Sequence, residues 1–159
     1  MLRLSQLISF GDIYPPPGFH TYWRIRGITV DNGSSDYLEI SELQILEAGV
    51  NITSSATKTS SSAPSGGTLS MLFDNDTGSA PYWTAATAQN AAFWIKFNFN
   101  GALRKVSGVK QAGSNNSTRH IAAFSLQYSD DDSNWVTLGS RTGLSYPGNY
   151  TLSSEYPIP

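Results

Sequence analysis

Apolar and polar residues alternate along several short segments, which is the pattern of strands with one buried face. The clearest segment places four large apolar residues on one face: Phe93, Ile95, Phe97 and Phe99. Residues 22–30 and 124–128 repeat the alternation, and turn-forming residues separate the segments. No stretch keeps a helical apolar period over ten residues. The pattern predicts an all-β protein, built as an antiparallel β-sandwich or jelly roll.

The segment 37–46 breaks its own alternation. Leu38 and Ile40 share a face with Glu42, and the apolar positions then resume one step out of phase at Leu43. Either the strand bulges beside Glu42, or the carboxylate points inward. An ionised carboxylate on an apolar face costs several kcal/mol unless a cation or hydrogen-bond donors meet it. A glutamate that faces water at a bulged strand edge is the simpler alternative.

The chain divides into three parts. Residues 1–20 form an N-terminal arm, because three consecutive prolines at 15–17 force an extended spacer. Residues 21–153 carry the strand patterns and form the β-sandwich, and residues 154–159 are predicted to be a C-terminal tail. Within the sandwich, residues 49–70 are rich in Ser, Thr, Ala and Gly and predict a long, mobile loop with room for one short strand.

Composition narrows the classes of partner. The net charge is −2 and no basic cluster occurs, so a nucleic acid is not expected to bind. The chain has no cysteine, which excludes disulfides and thiolate metal sites but leaves the compartment open. The first ten residues lack the features of a signal peptide, and no apolar run approaches the roughly 18 residues of a membrane span. We expect synthesis in a cytoplasm and no membrane insertion.

The sequence offers little for catalysis. Its two histidines are His20 and His120, and neither a Gly-x-Ser-x-Gly elbow nor a His-x-x-x-His pair occurs. A pair of carboxylates for glycoside hydrolysis remains open at this point, although the acidic residues cluster in turns. We therefore predict a non-catalytic protein.

Several motifs resemble the discoidin family, also called F5/8 type C or galactose-binding-like domains. They are the acidic turn 73–78, the Tyr-Trp-Thr at 82–84, the aromatic strand 93–99 and the hairpin 128–135. Asn75 replaces one glycine of the family pattern, and Ser133 lies near the place of another. The resemblance implies a β-sandwich that binds ligands, and many members are carbohydrate-binding modules.

The order of the motifs differs from that of the family. An aromatic-x-Arg strand and an Ile-Ala-Glu-Leu-like strand usually close such domains, but here they stand first, at 22–25 and 40–45. The chain thus resembles a circularly permuted member, similar to modules of bacteriophage tail and other virion proteins. This resemblance implies a location in the virion, contacts with other virion proteins and a homo-oligomer.

The resemblance also implies one structural calcium ion, shared between the closing-strand glutamate and the acidic turn. Carried over by residue, its ligands would be Glu42, Asp74, Asp76 and Thr77, with backbone carbonyls completing the shell. Calcium takes six to eight oxygen ligands, and this segment is rich in them. For the acidic turn alone, an ordinary Asx-rich turn is the alternative.

Sugar binding requires an aromatic platform and planar polar groups. In carbohydrate-binding relatives such groups lie in loops at one end of the sandwich. The candidate ligand-binding residues here are Asn115, Asn116, Arg119, His120 and Tyr82. A merely solvated loop is the alternative. We therefore expect a non-catalytic virion module that attaches to host-surface glycan, and as the alternative a purely structural virion assembly protein.

Overall fold

The computed structural model describes residues 18–31 and 37–158. It is an antiparallel β-sandwich, which confirms the predicted fold class. The predicted spacer at 15–17 and the predicted Asn32-Gly33 turn lie outside the described residues. In the described part of the chain, no helix combines the length and the hydropathy that crossing a membrane requires.

Five strands form the first sheet: β1 (Tyr22–Val30), β4 (Thr57–Ser60), β6 (Trp94–Asn98), β8 (Ile121–Ser129) and β9 (Val136–Arg141). Five more belong to the second layer: β2 (Tyr37–Glu47), β3 (Val50–Asn51), β5 (Tyr82–Thr84), β7 (Gly108–Gly113) and β10 (Tyr156–Pro157). The helical elements are short: α1 (Ala85–Ala88) and the 3-10 turns Thr53–Ser55 and Leu69–Phe73.

The first two strands lie at the centres of the two sheets. The first sheet has the order β4-β6-β1-β8-β9, and the second has the order β10-β7-β2-β3 with β5 also paired to β2. β1 therefore lies between β6 and β8, and β2 pairs with β7 on one side and with β3 and β5 on the other. Consecutive strands at the start of the chain thus supply the middle of both layers.

The core lies between the sheets and follows the predicted alternation. The four aromatic and aliphatic residues of the clearest strand pattern are all buried, as are Trp23 and Ile25 of β1. Trp83 is fully buried, and its indole Nε1 donates to the carbonyl of Ser62 at 2.9 Å. This bond satisfies the polar atom of a side chain that otherwise packs on Phe93.

β2 bulges where the alternation breaks. Its pairing with β7 shifts register between Ile40 and Glu42, so both alternatives left open by the sequence occur together: a bulge and a buried carboxylate. Ser41 is also buried, and its hydroxyl donates to the carbonyl of Gly113 at 3.0 Å. The bulge lets one strand direct polar and apolar side chains into the interior without losing its place in the sheet.

A buried amide joins the two sheets. Gln111 of β7 is 1% exposed. Its Nε2 donates to the carbonyl of Ile121 at 2.8 Å, and its Oε1 accepts from the Ile121 N–H at 2.9 Å. The side chain thus substitutes for a strand neighbour at the first residue of β8, directly after the polar loop 114–120.

The sandwich extends beyond its predicted limits. The backbone of His20 pairs with that of Arg104, so the domain begins before residue 21. The predicted tail is part of the second layer, because β10 pairs with β7 and Ile158 is buried. The predicted loop 49–70 holds two strands, and β4 pairs with β6 along four residues. These segments form strands because they pair with strands distant in sequence, although they show no alternation of apolar and polar residues.

Candidate functional site

The side chain of His120 is buried beneath the predicted sugar-binding loop and holds the loop in place. Its imidazole is 1% exposed, with Nδ1 2.8 Å from the carbonyl oxygen of Ser117 and Nε2 2.9 Å from that of Leu144. The backbone occupies both ring nitrogens, so His120 does not face a ligand. We correct that expectation: the residue holds the loop against the segment that contains Leu144.

The two asparagines of the loop differ in position. Asn116 is half-buried, and its Oδ1 accepts hydrogen bonds from the N–H and the hydroxyl of Thr118 at 3.0 and 2.9 Å. Asn115 is exposed. The structure thus makes Asn116 an Asx-turn residue that shapes the loop. Ligand contact by either asparagine stays a prediction.

Arg119 and Tyr82 come together with two residues that the sequence did not single out. The Arg119 guanidinium forms an ion pair with the carboxylate of Glu39 and lies 5.0 Å from the ring centroid of Tyr37. Tyr37 and Tyr82 meet edge to face, with ring centroids 5.1 Å apart. We call these four half-buried residues the arginine–tyrosine cluster: Tyr37, Glu39, Tyr82 and Arg119.

Strand register assembles the arginine–tyrosine cluster. Leu38 and Ile40 point inward, so Tyr37 and Glu39 point outward on the same face of β2. Pairing with β5 places Tyr82 directly opposite Glu39. The N–H of Glu39 donates to the carbonyl of Arg119 at 2.8 Å, which draws the loop to this strand. The alternation in 37–40 was a signal that could have identified Tyr37 and Glu39.

A glycine fixes the position of the Tyr82 ring. A Cβ atom on Gly66 would lie 2.2 Å from Cε1 of that ring, so only glycine fits there. The backbones of the two residues also bond, with the Tyr82 N–H 3.0 Å from the Gly66 carbonyl oxygen. The ring is therefore held between the Gly66 backbone and Tyr37, and it does not need a ligand to be ordered.

Glu42 is a buried carboxylate that meets the predicted acidic turn. The residue is 2% exposed, and its Oε2 accepts a hydrogen bond from the Asn75 N–H at 3.2 Å. Burial raises the pKa of this carboxyl from 4.5 to about 7, and the nearby Asp74 charge adds to the rise. Hydrogen bonds from Gln44 and Asn75 oppose the shift without cancelling it. The environment therefore leaves the charge on Glu42 incompletely compensated.

The turn itself is built from Asx hydrogen bonds. Asp74 Oδ1 accepts from the Asp76 N–H at 2.9 Å, and Asp76 Oδ1 accepts from the Gly78 N–H at 2.8 Å. Both aspartates are exposed, and Thr77 is half-buried between them and Gly78. The predicted metal ligands thus belong to one region, with Glu42 below the turn and the aspartates on it.

Among the residues that the structure describes, the unpaired charge of Glu42 favours a bound calcium ion, but few acidic side chains are close enough to act as its ligands. Over 18–31 and 37–158, no cationic side chain forms an ion pair with Glu42, so its charge lacks a protein partner there. In the same ranges no three His, Asp or Glu side chains group as a metal cluster. A hard oxygen site here would therefore combine Glu42 and Asp74 with backbone carbonyls.

In calcium-free buffer, the free energy of unfolding is expected to fall by about 2 kcal/mol as the pH rises from about 5 to about 8. The folded-state pKa of Glu42 lies above its ordinary value, so the folded state holds this proton more tightly. Its contribution is complete below about pH 4.5 and is lost as the pH rises through about 7. Urea unfolding across this pH range, with Glu42→Gln as the reference protein, measures this loss of stability. If the free energy of unfolding changed with pH in the same way for both proteins, the prediction would be wrong.

The two turns that resemble the family pattern each place a non-glycine residue in the left-handed region. Asn75 has φ of 62°, and Asp132 has φ of 59°. The φ of Asp132 corrects the expectation for Ser133, because Asp132 takes the backbone conformation for which glycine is suited. Asn and Asp tolerate this region better than other side chains. Both turns therefore keep the backbone shape that a glycine would give them.

A comparison with family models agrees with the fold. The model of the F5/8 type C domain matches residues 55–156, which is more than half of the chain. The chain belongs to the F5/8 type C family. F5/8 type C domains are binding domains, generally non-catalytic, that commonly bind carbohydrates or mediate adhesion. No curated protein and no solved structure matches this F5/8 type C chain.

The matched segment does not contain the centres of the sheets. It begins at residue 55, after β1 and β2, yet these strands pair with β6, β7 and β8 inside it. The F5/8 type C sandwich of this chain is therefore completed by strands that precede the family match. Glu42 and half of the arginine–tyrosine cluster lie on one of them.

Proposed function

We propose that this protein is a non-catalytic adhesion module of a bacteriophage virion, which attaches to host-surface glycan. Membership of the F5/8 type C family supports a carbohydrate-binding or adhesive role in general. The observation that carries the specific site is the arginine–tyrosine cluster, where an ion pair and two tyrosine rings meet at the surface.

The chemistry of the cluster suits a neutral sugar. A pyranose ring has apolar faces that pack on aromatic rings, and its neighbouring hydroxyls bond to planar charged groups. Arg119 and Glu39 are paired to each other, yet a guanidinium has five N–H donors and a carboxylate has about four acceptor positions. The pair thus offers donors and acceptors side by side, fixed in place by Tyr37.

We further propose that calcium steadies the adjacent turn. Glu42 and Asp74 would hold the ion with backbone carbonyls, and Asp76 and Thr77 are the remaining candidate ligands. The bound cation would supply the compensating charge that Glu42 lacks among the described side chains. It would also fix the turn relative to β2, the strand that carries Tyr37 and Glu39.

The proposed location in a virion rests on the proposed circular permutation of the domain. In the family pattern, strands like β1 and β2 come last, whereas here they come first. The position of these strands before the matched segment, at the centres of both sheets, supports a permuted connection of the same sandwich. The sequence resembles permuted modules of this kind that occur in bacteriophage tail and other virion proteins.

Substituting single residues of the arginine–tyrosine cluster is expected to weaken glycan binding without unfolding the protein. We expect Tyr82→Ala and Arg119→Ala each to weaken binding of an array-selected neutral glycan by about tenfold or more, since each loses a stacking face or a charge-assisted hydrogen bond. Affinities would be measured by calorimetry, and thermal melting would check the fold.

The matched control is Arg141→Ala, which removes an arginine at the end of β9 that bonds to the Pro157 carbonyl. It should leave glycan affinity unchanged. The proposal fails if the array retains no glycan, or if both cluster variants bind as tightly as the unchanged protein.

Exposed apolar side chains on edge strands favour the second candidate, a structural assembly protein. Val50 of β3 is 63% exposed and Val136 of β9 is 50% exposed, and both strands end their sheets. Edge strands offer backbone groups for pairing with another chain. A homo-oligomer or a neighbouring virion protein would use these edges, and glycan binding would then be absent.

A further inference from the structure

A second surface lies on the outer side of the sheet that contains β1. Side chains that alternate with core residues project there. We call the surface formed by these five half-buried residues the cationic face: Arg24, Arg26, Trp94, Lys96 and Trp135. Pairing of β1 with β6 sets Arg24 opposite Lys96 and Arg26 opposite Trp94. Three cations therefore occupy neighbouring positions on one sheet.

Contacts within the protein hold these cations in place. Arg24 Nε donates to Gln127 Oε1 at 2.7 Å, and its guanidinium lies 4.0 Å from the ring centroid of Trp135. Arg26 Nε donates to the carbonyl of Ala91 at 2.7 Å. Lys96 Nζ lies 5.2 Å from the ring centroid of Trp94. The face is ordered before any ligand arrives, which reduces the entropy lost on binding.

The cations outnumber the carboxylate that faces them. Asp132 bonds to Lys96 Nζ at 2.7 Å. The other two carboxylates of the same hairpin are directed elsewhere: Asp130 contacts Nδ1 of His20 at 3.0 Å, and Asp131 accepts from backbone N–H groups of its own turn. An excess of positive charge is thus concentrated here, in a chain whose net charge is −2.

This arrangement costs stability in the absence of a ligand. Like charges directly opposite each other on neighbouring strands destabilise a sheet, and Arg24 and Lys96 are such a pair. Burial and the nearby Arg26 charge lower the pKa of the Arg24 guanidinium, and the Asp132 charge opposes this shift without cancelling it. Asp132 offsets part of this repulsion, since it pairs with Lys96 and its charge also acts favourably on Arg24. The positive charge that remains favours a negatively charged partner.

We propose that the cationic face binds a carboxylated polysaccharide, such as a polyuronate, at a site separate from the arginine–tyrosine cluster. Neighbouring strands are about 4.8 Å apart, and alternate residues of one strand about 6.7 Å apart, which are dimensions of a sugar ring. Guanidinium groups bind carboxylates in bidentate geometry, and the two tryptophans offer faces for the apolar side of the ring. Three cations are too few to favour a nucleic-acid backbone.

The test measures binding of polygalacturonate by affinity electrophoresis and calorimetry, with dextran as the neutral polymer. We expect polygalacturonate to bind with an affinity that falls as salt is added, and any binding of dextran to be unaffected by substitutions in the cationic face. The double variant Arg24→Gln/Arg26→Gln should bind polygalacturonate about tenfold more weakly or worse. Lys110→Gln, on the outer side of the other sheet, should bind as the unchanged protein does. Thermal melting should show no loss of stability in either variant.

The other results would overturn the proposal. They are binding of dextran that the double variant weakens as much as it weakens binding of polygalacturonate, unaltered affinity for polygalacturonate in the double variant, and tighter binding of dextran sulfate or of a DNA duplex than of polygalacturonate. Tyr82→Ala distinguishes the two sites, because it should weaken binding of the neutral glycan and leave binding of polygalacturonate unchanged. Failure at the cationic face would therefore not count against the arginine–tyrosine cluster, nor the reverse.

Discussion

Replacing Glu42 by glutamine is expected to change the stability of the protein in opposite directions with and without calcium. In a chelator at about pH 8, Glu42→Gln should raise the free energy of unfolding by about 2 kcal/mol, because it removes a buried charge that lacks a partner. Gln can still accept the hydrogen bond from the Asn75 N–H. In calcium at about 100 times the dissociation constant, the unchanged protein should gain about 2.7 kcal/mol that the variant lacks.

Urea unfolding of both proteins in EGTA and in calcium measures this reversal of sign. The matched control is Glu39→Gln, on the same strand, whose carboxylate is already paired with Arg119. Its effect should be equal in both buffers. Identical unfolding curves of the unchanged protein in EGTA and calcium would refute the calcium site, and a destabilised Glu42→Gln in EGTA would show that the charge is compensated within the protein.

Replacing Gln111 by leucine is expected to lower the free energy of unfolding by about 2–5 kcal/mol. Leucine is similar in size, so the change leaves little cavity. It removes both partners of the Ile121 backbone, whose N–H and carbonyl would remain buried without hydrogen bonds. The cost is that of two unsatisfied buried groups. Because Ile121 follows the loop that contains Arg119, the affinity for neutral glycan should also fall.

Gln127→Leu is the control for this substitution. Gln127 is likewise an amide on a strand, here β8 of the first sheet, but it projects outward and bonds to Arg24 and to Thr137 at the surface. Water can replace those partners, so we expect a loss below about 1 kcal/mol. Equal losses for the two variants, measured by urea unfolding, would contradict the role assigned to the buried amide.

The sequence was sufficient for the parts of the fold that a local pattern determines. Alternation over residues 93–99 correctly predicted a buried aromatic face, because a strand exposes every second side chain to the same environment. The interrupted alternation at Glu42 correctly indicated an unusual carboxylate, since a charged residue in phase with apolar ones needs a compensating contact.

The features that the sequence did not predict depend on contacts between residues far apart in the chain. Tyr37 and Glu39 became site residues only when β5 and the loop at 119 paired with β2. The sequence neighbours of His120 are those of a surface residue, yet the folded loop buries its ring between the carbonyls of Ser117 and Leu144, which lie far apart in sequence. β10 is two residues long, too short to show any period.

The central position of β1 and β2 has a consequence for synthesis. Tyr22 pairs with Ser129, and Gln44 pairs with Lys110, so β1 and β2 cannot complete their hydrogen bonds until β8 and β7 have been made. At typical translation rates that interval is roughly 5–20 s. During it the nascent chain carries two apolar strands with open edges, which favour association with other chains. Contacts this distant in sequence also make folding slow, which prolongs the exposure of these strand edges.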